Sequence, residues 1–278
     1  MKLIRHGASG CEKPGAIDSQ GQARDLSDLV PDFTPEWMAP GRLAALAAVD
    51  LQRLPLVAQG SRLGAPVAGT RQFVAIGLNY RRHAEESGLD IPKEPVVFHK
   101  ALSSLAGPDD EVRLPEASVA TDWEIELGFV IGTRASRIPV EGALAHVAGY
   151  LLANDISERD WQIKRNGQWG KGKSFDGFGP VGPWLVTTDE LPDPQAIELT
   201  LSVNGEVMQR SSTADMIFPV ACLVSYLSQF MTLLPGDLVI TGTPAGVGLG
   251  MKPPRFLKSG DVMTLNGGVL GRQLQRVR

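Results

Sequence analysis

Residues 122–131 read Asp-Trp-Glu-Ile-Glu-Leu-Gly-Phe-Val-Ile, acids alternating with large apolar side chains before the run turns wholly apolar. At the two-residue period of a β-strand, Asp122, Glu124 and Glu126 share one face, and Trp123, Ile125 and Leu127 share the other. With a rise near 3.3 Å per residue, carboxylates two positions apart lie only about 7 Å from each other. No Lys or Arg lies within the run to neutralise them. Three like charges on one face repel unless something positive covers them, and hard divalent cations take such oxygen ligands. The solvated outer face of an antiparallel sheet gives the same alternation. The strand is therefore fixed by its pattern, while its acidic face stays open to both readings.

A chain of 278 residues forms one large domain or two smaller ones and has material for a substantial core. Lys and Arg number 27 against 31 Asp and Glu, and the net charge of −4 comes without a basic block. That balance argues against nucleic acid or an anionic membrane as a partner. Two cysteines, Cys11 and Cys222, are too few for a disulfide framework. The segment Met1–His6 carries charges inside its apolar run, unlike a signal peptide, and no apolar stretch reaches membrane-spanning length. A soluble, cytoplasmic protein is expected.

The texture divides the chain unevenly. Residues 1–70 read as a small N-terminal domain of short strands and turns, with a weak helix over 41–51 and a Gly- and Pro-rich connector over 55–70. Residues 71–278 form the larger unit. Its expected strands cover 73–77, 96–98, 147–153, 197–203, 206–208 and 238–240, with Asn204-Gly205 as a hairpin turn. A polar helical stretch ends at Gly88, and a short helix covers 141–146. Ser157 is expected to cap a helix running to Gly167, with Asp160 at capping-box spacing. The clearest amphipathic helix spans 218–234. Strands and helices do not alternate as βαβα, so the class is α+β, built on mixed sheets with few helices.

Gly167–Ser174 matches the P-loop pattern letter for letter. Its context fails: a polar helical segment precedes it, and Phe175–Pro180 cannot start the helix that phosphate binding needs. Other residues carry more chemistry. Asp155 closes a strand, where it would serve as a third carboxylate ligand or as a helix N-cap. Arg159 and Gln162, three apart, point the same way and suit either a carboxylate clamp or a solvated surface. Lys171 and Lys173 lie in a glycine-lined loop, where an ammonium would neutralise an enolate or simply meet water. His83 and Glu86 share one helical face, and a carboxylate beside a histidine suits a general base acting on water. His6, His99 and His146 stand alone and read as structural.

Taken together, these segments resemble the fumarylacetoacetate hydrolase superfamily over about residues 72–277. The resemblance is carried by Ile76-Gly77-Leu78-Asn79-Tyr80 followed by His83, by Asp122–Gly128, by Asn154–Gln162, by Gly172–Asp176 and by Thr241–Gly248, in the family's order. It implies a mixed β-sheet roll or barrel core, preceded by the small β-rich N-terminal domain that many bacterial members carry. It implies Mg²⁺ or Mn²⁺ on Glu124, Glu126 and Asp155, and of the acidic strand it requires only the two glutamates, leaving Asp122 as their neighbour. It also implies a water-activating His83–Glu86 pair on a lid hinged near Gly77 and Gly88. Lys173 would stabilise developing charge, and Arg159, Gln162, Thr243 and Tyr80 would position the substrate. The implied activity is metal-dependent hydrolysis of the C–C bond of a 2,4-diketo acid, of the acylpyruvate or 2,4-diketo-3-deoxy sugar-acid type, by a homodimer. Ureidoglycolate lyase, oxaloacetate decarboxylase and 2-hydroxyhepta-2,4-diene-1,7-dioate isomerase share the core and are the alternatives. A binding-only protein, needing neither dyad nor metal, is the rival from another class.

Overall fold

The acidic segment ends up at the centre of the molecule. In a computed structural model, which describes residues 1–278 except Ser87 and Leu89, every residue of Ile125–Ile131 is buried. This strand lies inside a ten-stranded mixed sheet, antiparallel to Val147–Asn154 on one side and to Leu238–Ile240 on the other. Beyond Leu238–Ile240 the sheet continues through Phe73–Gly77, its parallel neighbour, to Val96–His99. Alternation now sorts side chains between two cores. Trp123, Ile125, Leu127, Phe129 and Ile131 pack against a second, four-stranded sheet (Glu198–Val203, Glu206–Ser212, Val262–Asn266, Arg272–Arg276) and the helix Val220–Phe230. Val130, Leu151 and Ile240 face a core shared with Leu3, Phe33, Met38 and Leu43.

The first seventy residues do not make a sheet of their own. Lys2–His6 pairs with Leu185–Thr187, placing Leu3 opposite Leu185, so the opening strands extend the main sheet at one end. The helix Pro40–Ala47 then covers one face with Leu43 and Leu46. At Asn204-Gly205, φ values of 53° and 82° form the left-handed pair that a tight hairpin requires.

Three local expectations are corrected. The acidic run is not one strand: Thr121–Asp122 pairs with Ser157–Glu158 in a separate ladder, and the main strand starts at Ile125. The break at Trp123–Glu124 turns Asp122 off the face of the two glutamates, and Asp122 takes the Trp123 amide at 2.8 Å. Ser157 accordingly caps no helix, because it is committed to that ladder; a π-helical turn begins at Asp160 and ends at Lys164. The amphipathic helix spans 220–230 only, since Pro219 starts it and Met231 is already extended. Among the described residues, no helix is long and apolar enough to cross a membrane.

Candidate active site

Where the main strand begins, three acids meet. Carboxylate oxygens of Glu124, Glu126 and Asp155 all lie within 4.8 Å of one another, and each residue is buried. Asp155 follows Val147–Asn154, the strand antiparallel to Ile125–Ile131, and its amide donates to the Glu124 carbonyl at 2.9 Å. Pairing of two neighbouring strand ends is thus what brings residues thirty positions apart together. Glu126 is held by the Gly242 amide at 2.7 Å.

Buried cations surround the acids. Lys173 Nζ donates to Glu124 and to Asp155, both at 2.7 Å. Arg159 bridges two acids: Nε donates to Asp122 at 2.8 Å, Nη2 lies 2.7 Å from the same carboxylate as a bent ion pair, and Nη1 sits 2.7 Å from Glu124. Arg159 also donates to Gln162 Oε1 at 2.9 Å, as the spacing of the two residues predicts. Asp122 accepts the Gly248 and Leu249 amides as well, at 2.7 and 3.0 Å. It ties the acidic segment to Arg159 and to the 248–249 turn, and it belongs to the frame of the triad.

A further cation was not anticipated from the sequence. Lys100 is wholly buried, donates to Asp155 at 2.6 Å and to the Phe178 carbonyl at 3.2 Å, and also bonds the Lys173 carbonyl. A lysine closing the apolar strand Val96–His99 looks locally like a solvated strand end. Only the distant Asp155 gives it meaning. Gln209 was missed for the same reason; its side chain joins Ile125, Thr243 and Pro244.

Four buried carboxylates (Asp122, Glu124, Glu126, Asp155) therefore face three buried cations (Lys100, Arg159, Lys173) in this cluster. The imbalance falls on Glu126: burial, then Asp155 and Glu124, hold its carboxyl well above the usual range. Burial pushes Glu124 the same way, but Lys173 and Arg159 overcome it and hold that group at about 2. Lys173 is raised against the pull of burial by Asp155 and Glu124, whereas burial prevails at Lys100 and lowers it. Three converging carboxylates with one uncompensated charge suit a hard divalent cation with oxygen ligands.

A cavity of about 550 Å³ opens over Glu124, Arg159, Gln162 and Lys173. The helix Arg81–Glu86 contributes His83 and Glu86 to its wall, with Nδ1 of His83 3.3 Å from Glu86 Oε2. Glu86 in turn accepts the Gly246 amide at 3.0 Å, fixing the helix against the 242–248 turn. Thr243 lines the cavity too, but its hydroxyl already donates to the Ile125 carbonyl and accepts from Gln209. Tyr80, expected to touch substrate, is fully buried and lies outside the cavity wall. Its segment bridges to Met216 and sends the ring into the core, where the hydroxyl has no partner among the described residues. Burial and then Glu126 push that phenol well up.

Comparisons with known proteins identify the family. The family model for the fumarylacetoacetate hydrolase C-terminal region matches residues 72–278. A protein of Burkholderia orbicola, named no more specifically than "putative hydrolase", is 54% identical over 279 residues, covering 100% of this chain and 99% of its own. The structure of fumarylacetoacetate hydrolase from Exiguobacterium antarcticum is 36% identical with a TM-score of 0.89, covering 100% of this chain and 99% of that one. A "probable 2-hydroxyhepta-2,4-diene-1,7-dioate isomerase" from Mycobacterium abscessus is 35% identical with a TM-score of 0.85, covering 100% and 98%. With the acids, the lysine and the histidine–glutamate pair standing in the order its sequence blocks announced, and with relatives alike along the whole chain, this protein belongs to the fumarylacetoacetate hydrolase family.

Proposed function

We propose that the protein hydrolyses the C–C bond of a 2,4-diketo acid of the acylpyruvate type, releasing pyruvate and a carboxylic acid. The observation that carries this reading is the His83–Glu86 pair, at 3.3 Å, facing the same cavity as Glu124 and Lys173. A decarboxylase needs the acidic site but has no use for activated water, whereas a hydrolase needs both. Glu124, Glu126 and Asp155 would hold Mg²⁺ or Mn²⁺, which when bound supplies Lewis acidity at the keto-acid end of the substrate.

The chain's own groups account for the remaining steps. Glu86 fixes the tautomer and aim of His83, which takes a proton from water. The hydroxide adds to the C4 carbonyl, and the C3–C4 bond breaks with its electron pair passing to C3. Arg159 and Gln162 orient the substrate carboxylate, and the Lys173 ammonium faces the enolate charge as it develops. A proton delivered to C3 gives pyruvate, while the acyl half leaves as a carboxylate. The balance is one water consumed for one acid and one pyruvate formed.

The test is pyruvate release from a panel of acylpyruvates by the Mg²⁺-supplemented protein. His83→Ala is expected to lower kcat by roughly 10²–10⁴-fold, and EDTA to abolish turnover. An unchanged rate in His83→Ala would remove the assigned base; full activity after EDTA would remove the metal. Loss of the absorbance of a 2-hydroxy-2,4-dienedioate without pyruvate release would instead make the protein an isomerase.

A further inference from the structure

Resting on that hydrolytic reading, we infer that the acyl half of the substrate is apolar, an alkyl or aryl ketone carrying no polyol chain. The sugar-acid substrates implied by the family resemblance would bring several hydroxyl groups into this cavity, and the walls offer them little. Most of the polar lining is committed to the frame or, in the hydrolytic reading, to the keto-acid end of the substrate. Arg159 and Lys173 hold Glu124, Gln162 accepts from Arg159, His83 meets Glu86, and the Thr243 hydroxyl is bonded to the frame. Much of the remaining wall is Leu78, Ile163, Trp169, Val247, Leu249 and Met251, with an exposed Lys252 beside them.

Two features show that this apolar wall is built in. Leu78 sits at φ 51°, in the left-handed region that non-glycine side chains rarely adopt. Asn79 pins the turn there, bonding the Thr241 carbonyl at 2.8 Å and the Phe218 amide at 2.8 Å. A leucine is thus kept at a strained position that borders the cavity. The second feature is Trp169, which stacks edge-on against Phe98 at 5.7 Å between ring centroids. Its ring fills the space above Gly77, where any Cβ would overlap it. Glycine at 77 is what lets the indole stand as a wall. Ile163 and Leu249, both on the cavity wall, are 50% and 39% exposed, and an apolar acyl group would cover part of that surface. A hydroxyl buried against such a wall without a partner would weaken binding roughly tenfold, whereas each added methylene would strengthen it about fourfold.

The experiment has two arms on the full-length protein in Mg²⁺ buffer. The first measures kcat/KM for acylpyruvates with methyl, propyl, pentyl and phenyl tails, and for a polyhydroxylated tail of matched length. The second measures calorimetric binding of 2-oxo acids bearing the same tails, which have no 4-keto group to cleave. We expect both kcat/KM and affinity to climb about fourfold per methylene until the cavity fills, with the polyhydroxylated tail the weakest. Leu78→Gly, which relieves the strained backbone, and Trp169→Ala should each flatten that gradient. A flat or inverted order in binding, no binding of any tail, or an unaltered gradient in both variants overturns the inference. If no acylpyruvate releases pyruvate, the hydrolytic reading falls, and the binding arm still decides the nature of the tail.

Discussion

Replacing Asp122 tests the frame that holds the acids in place. Its two oxygens are saturated: Oδ1 accepts the Trp123 and Gly248 amides at 2.8 and 2.7 Å, and Oδ2 accepts Leu249 N at 3.0 Å and Arg159 Nε at 2.8 Å. The residue is fully buried, and Arg159 is buried except where it meets the cavity. Asp122→Ala would strand three amides and half of a guanidinium in a site water does not reach. Breaking a buried pair from one side costs about 3–5 kcal/mol, a large part of the roughly 5–15 kcal/mol that holds a domain folded. Asp122→Asn should lose nearly as much, because its amide must point a donor at a donor. In urea, with a slope of about 2–3 kcal/mol/M, the midpoint would fall by roughly 1–2 M. Arg159→Met on its own should also destabilise, and the double variant Asp122→Ala/Arg159→Met should lose clearly less than the sum, by about 1–3 kcal/mol of coupling. Midpoints within the scatter of the parent, or strict additivity in the double variant, would refute the pairing argument.

Lys100→Met keeps the bulk of the side chain but removes its charge, leaves the Lys173 carbonyl without its ammonium donor and leaves the Phe178 carbonyl with the Ile156 amide alone. We expect about 3–5 kcal/mol of destabilisation, read as a fall in Tm of roughly 6–20 °C; an unchanged Tm would show the buried ammonium to be dispensable. Glu126 makes the ion-free protein sensitive to rising pH. Folded, it keeps a proton that the unfolded chain releases in the ordinary carboxylate range, so stability falls as pH climbs from there toward its raised value. Cation binding should expel that proton, and Mn²⁺ titrations in two buffers of different ionisation heat will count it; zero release would contradict the charge balance. Glu124 acts in the opposite direction. Held at about 2 against an ordinary 4.5, its stabilisation is complete above 4.5 and drains away as pH falls toward 2. Acid unfolding of Glu124→Gln should therefore begin from a lower plateau and show a shallower slope through that window.

What the sequence disclosed was what short range decides. The hairpin at Asn204-Gly205, the buried strand at 73–77 and the alternation expected over 197–203 follow from turn chemistry and two-residue periodicity; the first two are found in place and the third spans Glu198–Val203. Glu124, Glu126 and Asp155 were legible as a group through the order of their motifs, and the strand pairing explains why they meet. Asp122 was misplaced because its ladder partner, Ser157, lies thirty-five positions on, and no local rule reveals that it pulls the chain out of register. Lys100 was invisible for a similar reason. Tyr80 was assigned by its neighbourhood in a motif, yet burial decided its role: the left-handed turn at Leu78 directs Leu78 to the cavity and sends Tyr80 to the core.

The continuity of the main sheet into the opening strands limits how the protein can be cut. Excising residues 1–70 would strip Lys2–His6 from Leu185–Thr187 and leave a row of backbone donors and acceptors facing water. It would also uncover Val130, Leu151 and Ile240, which now lie beneath the N-terminal layer. A naked strand edge beside a bared apolar face is a template for pairing with other chains. The stretch that matches the family model is thus a poor unit for transplantation or domain shuffling, and in any chimera the leading seventy residues must travel with it.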